Sequence, residues 1–461
     1  MAGTSEPLLA ALAAELGAGA VLTGANVGAR HYSDWTRRNA CAPCAVVRPR
    51  STAEVAAVLR RCHAAGQPVV VQGGLTGLAG GATPRAGELA LSLERLTGIE
   101  EVDVPGATMR VLAGTPLAAV HEAAADSGLQ FSLDLGARGS CTIGGNLATN
   151  AGGNRVLRYG MARELVLGLE VVLADGTVIS SLNAMLKNNA GFDLKQLFIG
   201  SEGTLGVITR AVLRLHPAPR ERLSAFVACG SFESLLALLG KARAALGGQL
   251  GSFEAMWDDY FEFAFAALGL TQRPFAARHP FYALIELESL DPGSDSERLE
   301  SLLARLLEQG AASDALVARS LEESARLWGI REAAGGLIMK LPLPAAYDIS
   351  LPIGRMAGYL MQVRAAAARR LPGLPLYVFG HLGDGNLHLV TGLGKPTDAA
   401  VLDEIVYGAL AGFGSVAAEH GIGSLKREWL ATSRLPAEIA LMRTLKSALD
   451  PSGILNPGRV L

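Results

Sequence analysis

The chain has 461 residues, enough for roughly three structural units of about 150 residues each and a large buried core. Half of it is hydrophobic and 18% is charged, with 55 glycines and 21 prolines, which excludes disordered, collagenous and coiled-coil chains and reads as a globular α and β protein. Lys and Arg number 41 against 43 Asp and Glu, a net charge of -2 without a basic stripe, so nucleic acid is excluded as a partner, and no run approaches 18 strongly apolar residues, so no membrane span is expected.

The opening stretch MAGTSEPLLAALAAEL carries Glu6 and Glu15 and no Lys or Arg before Arg30, unlike the basic start of a signal or transit peptide, so a cytoplasmic protein is expected. Leu8, Leu9, Leu12 and Leu16 predict an amphipathic helix within an N-terminal segment, 1–40. Five cysteines, Cys41, Cys44, Cys62, Cys141 and Cys229, are too few for a disulfide framework, and the lone Cys41/Cys44 pair lacks a second pair of metal donors; free thiols are expected. From Ala45 the pattern is strand, helix, strand. Ser51 is placed as N-cap with Glu54 at the capping-box position, Gly66 closes the helix, and Pro68–Val71 is the second strand.

That strand runs into the first of three glycine-dense loops, with Gly73, Gly74, Gly77, Gly80 and Gly81 in succession. Glycines there let backbone N–H groups converge on a phosphate; the alternative is a tight structural turn. The loop has neither the Lys-Ser/Thr of an ATP-binding loop nor the GxGxxG spacing of the dinucleotide fold, so ATPase and NAD readings have little support. A second loop, 133–160, holds seven glycines with Ser140, Thr142, Asn146, Thr149 and Asn150, and a third, 187–209, sets small and polar residues between a helix and a β run. Three such loops favour an extended nucleotide cofactor over a single phosphate.

His216–Arg220 punctuates the chain with prolines, which places a first domain at 41–216, a second, helix-and-strand unit at 217–410 and a C-terminal segment at 411–461. A helix is expected from Ser294 to Gln309, and another that stops at Asp450-Pro451 and Gly453. In FGHLGDGNLHL, His381 and His388 on one unbroken strand would face opposite ways, whereas a Gly-Asp-Gly-Asn turn brings both imidazoles to one point. Glu419 in AAEHGIG supplies a third donor, and a His₂Glu set leaves a position open for substrate; the alternative is a pair of core histidines bonded to backbone.

The three loops, with LGARGSCTIGGNLATNAGG and GSEGTLGVIT, resemble the FAD-binding domain of the vanillyl-alcohol oxidase type, and from Ala45 onward the chain is similar to the D-2-hydroxyglutarate, D-lactate and glycolate dehydrogenases of that superfamily. The resemblance implies an α+β fold, a two-part flavin domain with an antiparallel-sheet cap and a C-terminal segment returning to the flavin. It implies non-covalent FAD, because the first loop has no His for a tether. Gly73, Gly74, Thr76 and Gly77 would hold the pyrophosphate, and Ser140, Cys141, Gly144, Gly145, Asn146, Thr149 and Gly152 would line the isoalloxazine and ribityl chain. Glu202, Gly203 and Ile208 would close on the adenine end, and Asn456 also belongs to the implied cofactor set.

By the same resemblance His381, His388 and Glu419 would bind a divalent ion of the zinc type, with manganese or cobalt accepted by the same ligands. His420 would be the general base, while Arg331 and Asn386 would hold the substrate carboxylate. The implied partners are a 2-hydroxy acid and an electron acceptor such as an electron-transfer flavoprotein, a quinone or a cytochrome, and relatives point to a homodimer. The chain departs from the 2-hydroxyglutarate pattern at two places. A Thr or Ser four residues after the arginine is Gly335, and a Lys before YDxSLP is Ala346. Losing both donors strands a second carboxylate, so D-lactate, branched D-2-hydroxy acids or D-mandelate are expected ahead of D-2-hydroxyglutarate. A flavin-free zinc hydrolase and a flavin protein without a substrate of its own are the rival readings.

Overall fold

A computed structural model describes residues 6–461; Met1 to Ser5, part of the targeting reading, lie outside the described residues. Two compact units result: residues up to 152 with 161–218 and 419–461, and residues 153–160 with 219–418.

The first unit contains a small sheet in which Ala45–Val47 and Val69–Gln72 both run parallel to Leu89–Ser92 between them, with Val21–Leu22 antiparallel at the edge. Apart from the half-buried Val71, the apolar residues of the three parallel strands are buried on both faces, as a parallel sheet requires. The connecting helix Thr52–Ala65 starts where Ser51 accepts the Glu54 N–H and ends at Gly66, whose φ of 61° only a glycine adopts freely. The expected capping box is displaced by one residue: the Glu54 carboxylate takes the Arg50 N–H at 2.7 Å, not that of Ser51. A second, antiparallel sheet of five strands runs Ile99–Asp103, Thr108–Leu112, Val207–Arg214, Val166–Val172, Val178–Ser181.

The C-terminal segment is tied to the first sheet. Helix Pro436–Leu449 stops at Asp450, whose carboxylate accepts the N–H groups of Ile454 (3.0 Å) and Leu455 (2.8 Å), and Leu455 then bridges Val69 in parallel. That bridge sets Asn456 beside the strand leading into the first glycine loop.

The second unit is a seven-stranded antiparallel sheet, in the order Asp314–Val317, Glu221–Cys229, Phe281–Ser289, Leu250–Trp257, Tyr377–Gly380, Asn386–Gly392, Pro344–Ser350. Helix Phe232–Leu246 is capped by Ser231, and helix Pro292–Glu308 opens with proline in its first turn. An aromatic core of Phe226, Tyr260, Phe261, Tyr282 and Phe379 fills one part of this unit. The stretch 153–160, the end of the second glycine loop, is built into this unit because Arg158 donates to the Glu288 carbonyl at 2.9 Å and Arg155 pairs with the buried Glu288 carboxylate at 3.2 Å. The fold is thus the α+β architecture expected, with an antiparallel cap sheet. No described helix is long and apolar enough to cross a membrane.

Candidate functional site

In the first unit the glycine loops touch backbone to backbone. A Cβ on Gly73 would lie 2.7 Å from Thr142 Oγ1, one on Gly74 would lie 2.9 Å from Cys141 Cα and overlap the Ser140 carbonyl, and one on Gly144 would lie 2.7 Å from the Ala113 methyl. Only glycine permits this approach. The loops face a cavity of about 1040 Å³ lined by Gly73, Gly74, Ser140 and Thr142, and also by Asp34 and Trp35 of the N-terminal stretch. Thr142 Oγ1 is buried without a hydrogen-bond partner among the described residues, so the cavity wall holds a polar group that an incoming ligand would satisfy.

The other expected cofactor residues shape the same loops. Cys141 and Asn146 are buried and joined by an Nδ2–Sγ contact of 3.6 Å; burial pushes the Cys141 thiol up, away from thiolate reactivity. Thr149 caps back to Gly145 at 3.2 Å, Gly152 is buried, and Thr76 and Gly77 lie further along the first loop, Gly77 beside Asp34. Asn456 accepts the Val71 N–H at 2.8 Å and donates to the Glu202 carbonyl at 2.6 Å, so it pins the first loop to the third. Gly203, at φ 70°, leaves room for that amide, and Ile208 is buried in the antiparallel sheet.

Asp34 carried no motif, yet its carboxylate accepts the Gly80 N–H at 2.7 Å and the Thr36 N–H at 3.1 Å, fixing the far end of the first loop. Glu202 turns its carboxylate to the returning segment, accepting the N–H groups of Ile422 (2.7 Å) and Gly423 (2.8 Å). Burial pushes its carboxyl up, although those two N–H bonds pull the other way. Gly421 and Gly423 are at φ 80° and 53°, so the turn after Glu419 and His420 has a shape that side chains would resist, and Glu419 Oε1 lies 3.9 Å from His420 Nε2.

In the second unit the sequence His381–His388 folds as a hairpin, with Phe379 opposite His388 and Gly385 at φ 86° closing the turn. The imidazole centroids are 5.5 Å apart and edge-on, and both residues are buried. His381 Nδ1 lies 2.7 Å from Glu254 Oε1; an ionised carboxylate only accepts, so Nδ1 carries the proton and Nε2 keeps its lone pair. The other Glu254 oxygen takes Arg331 Nε–H at 2.8 Å, and Arg331 Nη2 is 3.4 Å from His381 Nε2. His388 Nδ1 is 3.9 Å from Asp348 Oδ1. Two imidazoles with a carboxylate orienting one of them fit a divalent ion.

Asn386 Nδ2 donates to Asp348 Oδ1 and to the Ile349 carbonyl, both at 2.9 Å, because the strand Pro344–Ser350 is its hydrogen-bonded neighbour. These bonds make Asn386 a support of Asp348. The second Asp348 oxygen takes the Ala418 N–H at 3.1 Å, one peptide before Glu419. Glu254 and Asp348 were missed at sequence level; an isolated Glu in the apolar run LGSFEAMW was the available signal for the first.

A model described as FAD linked oxidases, C-terminal domain, matches residues 218–460, and one described as FAD binding domain matches 43–181. A D-2-hydroxyglutarate dehydrogenase of Xanthomonas citri pv. viticola is 41% identical, covering 93% of this chain and 92% of that protein, and the mitochondrial D-2-hydroxyglutarate dehydrogenase of Bos taurus is 41% identical over 93% and 78%. Solved structures of a 4-ethylphenol oxidase from Gulosibacter chungangensis and of p-cresol methylhydroxylase share the fold, each with a TM-score of 0.78, at 18% and 17% identity, covering 99% of this chain and 98% of theirs. The glycine cradle and its unsatisfied Thr142 hydroxyl fit FAD, and the chain belongs to the family of FAD-linked oxidases, flavoprotein oxidoreductases with an FAD binding domain.

Proposed function

We propose that the protein is a metal-assisted, FAD-dependent dehydrogenase of D-2-hydroxy acids that favours small or apolar side groups, such as D-lactate, branched D-2-hydroxy acids or D-mandelate. FAD would supply the two-electron acceptor, and a divalent ion of the zinc type held by His381, His388 and Glu419 would supply a Lewis acid for the hydroxyl oxygen. Arg331 grips the substrate carboxylate through the guanidinium N–H groups that Glu254 leaves over, and His420 takes the hydroxyl proton. The electrons then leave to an electron-transfer flavoprotein, a quinone or a cytochrome.

The observation that carries the side-group preference is the environment of Gly335 and Ala346. A Cβ on Gly335 would meet nothing within 4 Å, and Ala346 is exposed, so neither place offers a donor to a second carboxylate. A second reading, D-2-hydroxyglutarate, is favoured by the names of the relatives at 41% identity. Anaerobic titration of the flavin with D- and L-lactate, D-mandelate and D-2-hydroxyglutarate separates them. Bleaching by a D-monocarboxylate, lost after chelation, is expected; fastest bleaching by D-2-hydroxyglutarate would establish the second reading, and a protein without flavin absorbance would sink both.

A further inference from the structure

Glu254 lies within the strand Leu250–Trp257 at 1% exposure, and both of its oxygens are spent on groups of the proposed active site, His381 Nδ1 and Arg331 Nε. Those two partners converge in turn, with Arg331 Nη2 at 3.4 Å from His381 Nε2 and the guanidinium carbon 4.8 Å from the centre of the Phe379 ring. Tyr260 closes the arrangement by donating to the Arg331 carbonyl at 3.0 Å.

We propose that Glu254 is a positioning residue of the reaction: one carboxylate sets the tautomer and orientation of the metal ligand His381 and the plane of the carboxylate clamp Arg331 together. This rests on the reading of those two residues given above. A carboxylate on Nδ1–H selects the tautomer whose lone pair is at Nε2, which is the form a metal ligand needs. The same carboxylate occupies Nε–H of Arg331 and fixes which edge of the fork remains for substrate. A neutral side chain cannot do both, because a glutamine offers one acceptor and one donor where two acceptors are required. A buried ion group is also poor economy as a stability device, since apolar residues of similar volume pack as well or better.

The test uses FAD-loaded, chelator-treated protein titrated with Zn²⁺ against a chromophoric chelator, for wild type, His381→Ala, Glu254→Gln and Glu254→Asp. Glu254→Gln should weaken Zn²⁺ binding on the order of 10- to 100-fold with flavin content unchanged, and at saturating Zn²⁺ should raise KM for the acid that bleaches the flavin. Glu254→Asp keeps the charge but is one methylene too short for both bonds, so it should fall between; it decides the matter if the Gln variant does not fold. Wild-type Zn²⁺ affinity and KM in a folded variant would overturn the inference while His381→Ala still abolishes binding. A wild type with no site that His381→Ala removes would instead overturn the metal reading, and this inference with it.

Discussion

Asn386 and Thr142 show how one side chain's role follows from its partners. Asn386 gives both amide N–H groups to Asp348 and the Ile349 carbonyl, so Asn386→Ala leaves a buried carboxylate oxygen short of a donor; a loss of about 1–3 kcal/mol in denaturant unfolding is expected, with KM for the hydroxy acid nearly unchanged. A large KM effect without loss of stability would instead establish the substrate-contact role. Thr142 is the reverse case, a residue of the cavity wall whose hydroxyl has no partner among the described residues. Thr142→Val should leave the flavin-free protein as stable as before and weaken FAD by about 0.5–1.5 kcal/mol, roughly 2- to 12-fold in Kd, measured by fluorescence titration. The residue types of this site were legible in the sequence: histidines around a Gly-Asp-Gly turn, an arginine, and small polar residues in glycine loops. That Glu254 joins His381 to Arg331 was not, because the three residues are 50 to 127 positions apart and no local pattern links them.

At the scale of elements, the close approach of the first two glycine loops is the feature on which flavin binding depends. Gly74→Ala drives a methyl into the Ser140 carbonyl and Cys141 Cα, whereas Gly139 has nothing within 4 Å of a Cβ. Gly74→Ala protein should therefore purify with little flavin and a lowered Tm, and Gly139→Ala protein should keep its flavin-to-protein absorbance ratio. Equal flavin in both would mean that the loops do not need this contact. Glycine density announced that something comes close to the backbone, and the strand-helix-strand start was readable from Ser51, Gly66 and the β-branched run. Which glycines meet which loop was not readable, because the meeting is set by sheet pairing: Val69–Gln72 parallel to Leu89–Ser92, and Leu455 bridged to Val69.

For the whole molecule, the two units should answer acid differently. In the second unit Glu254 and Glu262 are held below their ordinary value of 4.5, Glu254 by His381 and Arg331 against its burial and Glu262 by hydrogen bonding to Arg273. Their unfolded forms take up protons first, so that stability is present above about 4.5 and is lost as pH falls through the lower folded values. In the first unit burial raises Asp34 and Glu202 above 3.8 and 4.5; the folded form protonates first, so stability from these groups rises as pH falls through their raised values and is complete below the ordinary ones. Calorimetry between pH 6 and 3.5 should show the transition of the second unit moving down in temperature before that of the first; the opposite order would show that other carboxylates dominate. By itself the sequence determined the α+β class, the flavin-type glycine loops, the chemistry of the donor residues and the absence of the hydroxyl and ammonium at Gly335 and Ala346, because these are carried by local periodicity, conformational freedom and residue type. Only the tertiary structure decided that Asn386 faces Asp348, that Glu202 holds the turn after His420 and that one buried carboxylate orients both His381 and Arg331, because these bonds join residues far apart in the chain and form only when the sheets have paired.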